Sequence, residues 1–257
     1  MRGIVSLRGG LAALAAAVGF TLVGSGSMPA VSSPSYAARE ITPGIQITPR
    51  DVAESNGKIA SAYTALIKMW GADFNAIGRR FGPPDIVPYE GGIQTACGIM
   101  RGSNALYCPR DNSIYFDEVF VAGQAKSAAR DLGTDGDMAG IGVIAHEMGH
   151  AVAMQLGHLS RNSYENESTA DCLAGAFAQQ SSRDGAIEDG DIDEAFYAMS
   201  SAGDPTPQLT GDSRMDGWIL ARFARRSHGT REQRMQNFKT GLDGGAGACL
   251  PEFRGLH

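Results

Sequence analysis

The chain has 257 residues, 43% of them hydrophobic and 19% charged, with a formal charge of −6. This composition excludes a disordered or fibrous protein and is enough for one sizeable core and a small appendage. The acidic balance, with no basic stripe, argues against nucleic acid as a partner.

The first segment reads as an export signal. Arg2 and Arg8 supply the positive charge, Leu11 to Gly24 is apolar, and Ser35-Tyr36-Ala37 has small residues where a signal peptidase reads. Residues 1–37 are therefore expected to be cleaved, which takes the formal charge from −6 to −8 by removing two arginines. The alternative is an uncleaved membrane anchor, because no charge interrupts Gly9 to Ala38. Residues 38–50, with Pro43 and Pro49, read as a linker, and 51–257 as one domain.

Val52, Ile59, Tyr63, Leu66, Ile67, Trp70, Phe74 and Ile77 follow a helical period over Asp51 to about Arg80, interrupted near Gly71. Ile86 to Phe120 is punctuated by glycine, proline and asparagine and reads as β-rich, with Ser113 to Phe116 its clearest strand. Asp131 to Asp137 and Asp184 to Asp191 read as surface loops. Met138 to Leu156 is one long helix stopped by Gly157, followed by helices at Tyr164 to about Gln180, Ile192 to Ser200 (capped by Asp191) and Trp218 to Arg226. The last helix, Arg231 to Thr240, carries a Thr230/Gln233 capping box and is expected to stop at Gly241.

The helix from Met138 holds His146-Glu147-Met148-Gly149-His150. Residues four apart on a helix lie about 40° apart around the axis and about 6 Å along it, so both histidines can reach one cation. Glu147 is offset by one position, where it can face a water at the metal and take its proton. Solvated surface histidines are the bland reading. The flanking Ile141, Val143, Ile144 and Val152 are too apolar for a solvated helix, and buried imidazoles need a partner. One zinc ion per chain is therefore expected. Ala153 and Leu156 exclude the metzincin extension of the motif. For the third ligand, Glu167 and Asp171 share a helix face. One can bind zinc while the other accepts the spare N–H of a liganding histidine. Glu165 is two residues off that face and, with Asn162, reads as a capping box.

These residues place the chain among sequences it resembles, the bacterial neutral zinc metallopeptidases of the gluzincin-like group. The resemblance is carried by Cys97-Gly98, Tyr107-Cys108-Pro109, Ile114-Tyr115-Phe116-Asp117, Val143 to His150, Glu167 to Gly175, Asp189-Gly190-Asp191, His228-Gly229, Gln233-Arg234, Phe238, Gly241 and Cys249. It implies an α+β, mainly helical zincin-like fold with a small antiparallel sheet above the metal helix. It also implies zinc on His146, His150 and Glu167, with Glu147 as the catalyst of peptide-bond hydrolysis and a peptide or protein as substrate. The chain departs from the family pattern at Ala151, where a further histidine is usual, and at Gly203-Asp204-Pro205, where Gly-Asp-Asp is common. A zinc-binding, non-hydrolytic envelope protein and a metal-dependent cell-wall amidase are the alternative functions.

Cys97, Cys108, Cys172 and Cys249 allow three pairings. Hairpin-like punctuation between the first two favours Cys97–Cys108 as a local disulfide, leaving Cys172–Cys249; the alternative makes Cys172 a metal ligand. Disulfides accord with a secreted or extracytoplasmic location. Tyr115 lies either on an edge strand that pairs with an extended substrate or on a core strand. His228 is either an oxyanion donor or a loop histidine before the Thr230 cap. Asp189, Asp191 and Asp193 mimic the start of a calcium loop, but Glu194 and Ser200 stand where that loop needs glycine and glutamate. His158 reads as a solvated helix-end residue. The export reading predicts that protein purified from its native host begins at or near Ala38 by N-terminal sequencing, whereas an intact Met1 on a membrane-bound form is the signature of an anchor.

Overall fold

The computed structural model describes residues 39–42 and 44–256, so the expected signal segment, residues 1–37, lies outside the described residues. Two short strands, β1 (Arg39–Thr42) and β2 (Ile45–Ile47), form an antiparallel pair. Ile45 and Ile47 are buried with Val52, Val119 and Ala122. Within the stretch expected to be a linker, Ile45 and Ile47 thus pack on the folded body, because they have an apolar surface to cover.

Helix α1 (Pro49–Ala76) starts on a capping box between Thr48 and Asp51 and runs straight through Gly71. Its buried face, with Leu66, Trp70 and Phe74, enters the main core, where Trp70 and Phe74 meet Phe253 from the end of the chain. Five strands follow: β3 (Asp85–Tyr89), β4 (Gly92–Thr95), β5 (Gly98–Arg101), β6 (Ala105–Cys108) and β7 (Ser113–Asp117). β4 and β5 form a separate antiparallel hairpin. The other three make a sheet in the order β3-β7-β6, with β7 parallel to β3 and antiparallel to β6. The sheet is thus mixed rather than antiparallel throughout.

Seven further α-helices follow among the described residues: α2 (Glu118–Leu132), α3 (Asp137–Leu156), α4 (Ser163–Arg183), α5 (Asp191–Ser201), α6 (Ser213–Arg226), α7 (Arg231–Gly244) and α8 (Ala246–Cys249). α2 has no counterpart among the helices read from the sequence. It begins where Asp117 accepts hydrogen bonds from the Val119 and Phe120 amides. α5 is preceded by Gly190 rather than capped by Asp191, whose carboxylate instead accepts from the Glu188 amide. Asn162 precedes α4, but its side chain bonds Glu165 directly instead of completing a capping box. The Thr230/Gln233 capping box of α7 forms as expected.

α3 is the central element. It contacts α1, α2, α4, α5, β6 and β7, and fourteen of its twenty residues are buried. A helix so surrounded must be apolar almost all round, which is why its two histidines stand out. Cys97–Cys108 and Cys172–Cys249 are both disulfide-bonded, and no described cysteine is free. Cys172 is therefore not a metal ligand. No described helix is long and apolar enough to cross a membrane.

α4 crosses α7 with backbone nearly touching backbone. A Cβ at Gly241 would lie 1.7 Å from the Cys172 carbonyl oxygen, and one at Gly175 would lie 2.0 Å from that of Phe238. Gly241 is thus not a helix stop: α7 passes through it because only glycine fits the crossing. Gly175→Ala or Gly241→Ala should each cost about 3 kcal/mol or more, the upper end of overpacking effects. Gly71→Ala, in a mid-helix position with open space around it, should stabilise by about 0.5–1 kcal/mol. Urea unfolding of the three variants checks this ordering.

Candidate metal centre

α3 and α4 bring the expected donors together. His146 and His150 project from one face of α3 with their rings edge to face, 4.7 Å between centroids. Glu167, one turn into α4, lies between them: its Oε2 is 3.1 Å from His146 Nε2 and its Oε1 is 3.5 Å from His150 Nε2. One donor atom from each of the three residues falls within 4.8 Å of the others. This approach depends on Gly149, where a Cβ would lie 2.8 Å from the Ala170 carbonyl oxygen. Any side chain there would push α4, and Glu167 with it, away from the histidines.

Asp171, one turn beyond Glu167, has no exposed surface. Its Oδ1 lies 2.8 Å from His146 Nδ1 and accepts from Arg234 Nη2 at 2.6 Å, while its Oδ2 accepts from Arg234 Nε. The carboxylate therefore favours a proton on His146 Nδ1 and leaves Nε2 facing Glu167 and His150. Arg234, from α7, is itself buried and also donates to the Ala202 carbonyl. The sequence reading attached no role to Arg234. Its helical spacing resembles that of any other arginine, and its contact with Asp171 is visible only in the folded chain.

Glu147 is buried and faces β6, where the Tyr107 amide donates to its Oε2 at 2.7 Å. A cleft of about 300 Å³ opens here, lined by Ala105 and Leu106 of β6, by the two histidines and two glutamates, and by His228 and Arg234. His228 stands at the exposed rim, its own amide donating to Asp204 Oδ2. Tyr115 does not line the cleft. It is buried beside Tyr89, Met100 and Cys108, and its strand is bonded on both sides. Its strand is therefore not an edge; the edges of this sheet are β3 and β6, and β6 is the one that borders the cleft. Glu165 bonds Ser160 and Asn162 away from the donors, and His158 pairs with Glu252 instead of being free in solvent.

The charges show what the centre can hold. Glu147, Glu167 and Asp171 converge in buried or nearly buried positions, and Arg234 offsets one of the three. Two negative charges remain beside two imidazoles, which is the complement of a divalent cation with nitrogen and oxygen ligands. In the metal-free chain a proton fills part of that deficit. Burial opposes an imidazolium at His146, but hydrogen bonds to Asp171 and Glu167 outweigh it and raise the group to about 10. Burial would raise the Glu167 carboxyl, but the two histidines outweigh it and hold the group far below the usual carboxylate range.

These shifts set a pH window for the metal-free protein. The His146 contribution to stability is complete below its unfolded value of 6.5 and is lost as pH rises through about 10. The Glu167 contribution is complete above its unfolded value of 4.5 and is lost on acidification. This pair should therefore favour folding most between about pH 4.5 and 6.5, and His146→Ala should remove the alkaline part of the loss. Thermal melts of chelator-treated protein from below pH 4.5 to above about pH 10 provide the check.

The family model described as "Putative neutral zinc metallopeptidase" matches residues 2–253. The chain is 33% identical over 215 residues to the uncharacterized protein YpfJ of Escherichia coli (strain K12), covering 76% of this chain and 71% of that one. It is 30% identical over 186 residues to the uncharacterized protein Rv2575 of Mycobacterium tuberculosis (strain ATCC 25618 / H37Rv), covering 63% and 59% respectively. No solved structure matches the chain significantly. The chain thus belongs to the neutral zinc metallopeptidase family.

Proposed function

We propose that the protein is an exported peptidase that holds one zinc ion on His146, His150 and Glu167 and uses Glu147 as its general base. The observation that carries this reading is the convergence of those three donors within 4.8 Å beside a buried carboxylate in an open cleft. Bound there, zinc supplies Lewis acidity toward a carbonyl and toward water. Asp171 keeps His146 in the tautomer that presents Nε2, and Arg234 holds Asp171 in place. The Tyr107 amide fixes one Glu147 oxygen and leaves the other to face the cleft.

The substrate would lie along the free edge of β6 as an added strand, which places a backbone carbonyl near the donors. Glu147 takes a proton from water as the water oxygen bonds to the carbonyl carbon. The C–N bond then breaks, and Glu147 returns that proton to the leaving amine. His228, at the rim, is positioned to donate to the oxygen that gains charge during attack. Export is supported by the two disulfides, which persist in oxidising compartments.

Glu147→Gln should retain zinc and lose about 10²–10⁴ in rate, the usual worth of a general base. Glu167→Ala should lose the zinc itself, since two histidines hold it poorly. Asp171→Asn should weaken zinc by about 10–100-fold. Elemental analysis per chain, run beside casein cleavage with and without chelator, separates these outcomes. Full zinc in Glu167→Ala, with loss in Asp171→Ala or Glu165→Ala, would refute the ligand set; an active Glu147→Gln would refute the mechanism. Casein left intact by the zinc-loaded protein, with cell-wall peptides cleaved in its place, would identify an amidase.

A further inference from the structure

A second group of acids lies at the N-terminal end of α3, on the loop before it and on α5. One carboxylate oxygen from each of Asp135, Asp137, Asp191 and Glu194 falls within 4.8 Å of the others. Glu194 is fully buried and spans the start of α3, accepting from the Gly136 and Met138 amides at 2.8 Å each. The cation within reach is Lys58 of α1, which bonds Asp135 Oδ2 at 2.5 Å and Asp137 Oδ2 at 2.8 Å. Four carboxylates are thus set against one ammonium and the partial positive charge of a helix end, about half a unit. The imbalance falls on Asp191. Its residue is 5% exposed, and its Oδ1 has no hydrogen-bond partner among the described residues. Nearby, the loop residue Thr134 packs on Gly190, and its buried hydroxyl oxygen is also unpartnered.

A buried, unpaired carboxylate oxygen beside three other carboxylates is costly unless something positive occupies the space between them. Burial, with Asp137, Glu194 and Asp135 close by, pushes the Asp191 carboxyl up to about 6 even though the Glu188 amide hydrogen-bonds it. We infer that Asp135, Asp137, Asp191 and Glu194 form a calcium site that ties the loop before α3 and the start of α5 to the N-terminal end of the metal-bearing helix. Only oxygens are offered, which suits a hard cation and disfavours zinc. Four carboxylates, singly or doubly engaged, can supply most of the six to eight oxygens that calcium takes at about 2.3–2.6 Å. Magnesium is a poorer fit because it holds its waters and demands octahedral geometry. Lys58 is not a fixed occupant. Its side chain is 43% exposed on a flexible stem and can turn to solvent when a divalent ion enters.

The site shares no residue with the zinc ligands, so its test is independent of the peptidase reading. The full chain is titrated with calcium chloride in a calorimeter, before and after zinc is stripped and the chelator removed, with magnesium chloride as the control. One calcium per chain is expected in both forms, with a rise in melting temperature that an equal concentration of magnesium does not match. Asp191→Asn should weaken calcium binding by more than about tenfold while zinc content stays unchanged. Lys58→Met, which removes the competing ammonium, should bind calcium severalfold more tightly, and it carries the test if Asp191→Asn fails to fold. No uptake by the wild-type chain, equal affinity in folded Asp191→Asn, or a folded Lys58→Met that binds no calcium would each overturn the site and leave Lys58 as a plain counter-ion.

Discussion

The carboxylate of Asp171 is the constraint on which the centre depends. It is fully buried on α4, and it binds the imidazole of α3 and the guanidinium of α7 at the same time. A buried charge left without partners costs several kcal/mol, so three helices are held in one arrangement by a single side chain. The same contact favours a proton on His146 Nδ1 and leaves Nε2 facing Glu167. Local stability and site chemistry are therefore the same interaction at this point.

The rest of α4 reinforces that contact at successive positions. Cys172, next to Asp171, is bonded to Cys249 beyond α7, across 77 residues of chain. Gly175, one turn on, and Gly241 on α7 allow the two backbones to meet. A long loop closed by a disulfide restricts the unfolded chain, by about 4–5 kcal/mol in the entropic account. The glycines act on the folded state instead, by removing the side chains that would separate the helices. Arg234 can reach Asp171 only because of that close approach.

The sheet serves the same centre from the opposite side. β7 is held on both edges, which leaves β6 to lie over α3 with one edge free. The Tyr107 amide, which a flat three-stranded ladder would not use on that side, is spent on Glu147. Asp117, at the end of β7, bonds the Gly91 and Ser103 amides with one oxygen and starts α2 with the other. The acid that ends the strand thus also anchors the loops flanking the β4–β5 hairpin.

The positions of His146, Glu147 and His150 on one helical face follow from a 3.6-residue period, which needs no information from elsewhere in the chain. The start of α7 was legible for the same reason, since a capping box is contained within four residues. Other features escaped because their causes lie far away in sequence. α2 is mixed in polarity and buried by neighbours on α1 and α3, so its local pattern is weak. Gly241 looked like a stop because a glycine that ends a helix and one that admits another backbone are identical in sequence. The mixed sheet depends on β7 pairing in parallel with β3 across the intervening strands. By itself, the sequence determined the helix that carries both histidines, the likeness of its motifs to a zinc peptidase family and the choice of two carboxylates as candidate partners. The resemblance named Glu167 as the ligand, but only the tertiary structure placed it between the histidines and paired Asp171 with Arg234, because Asp171 and Arg234 are 63 residues apart and meet only once α4 and α7 have crossed.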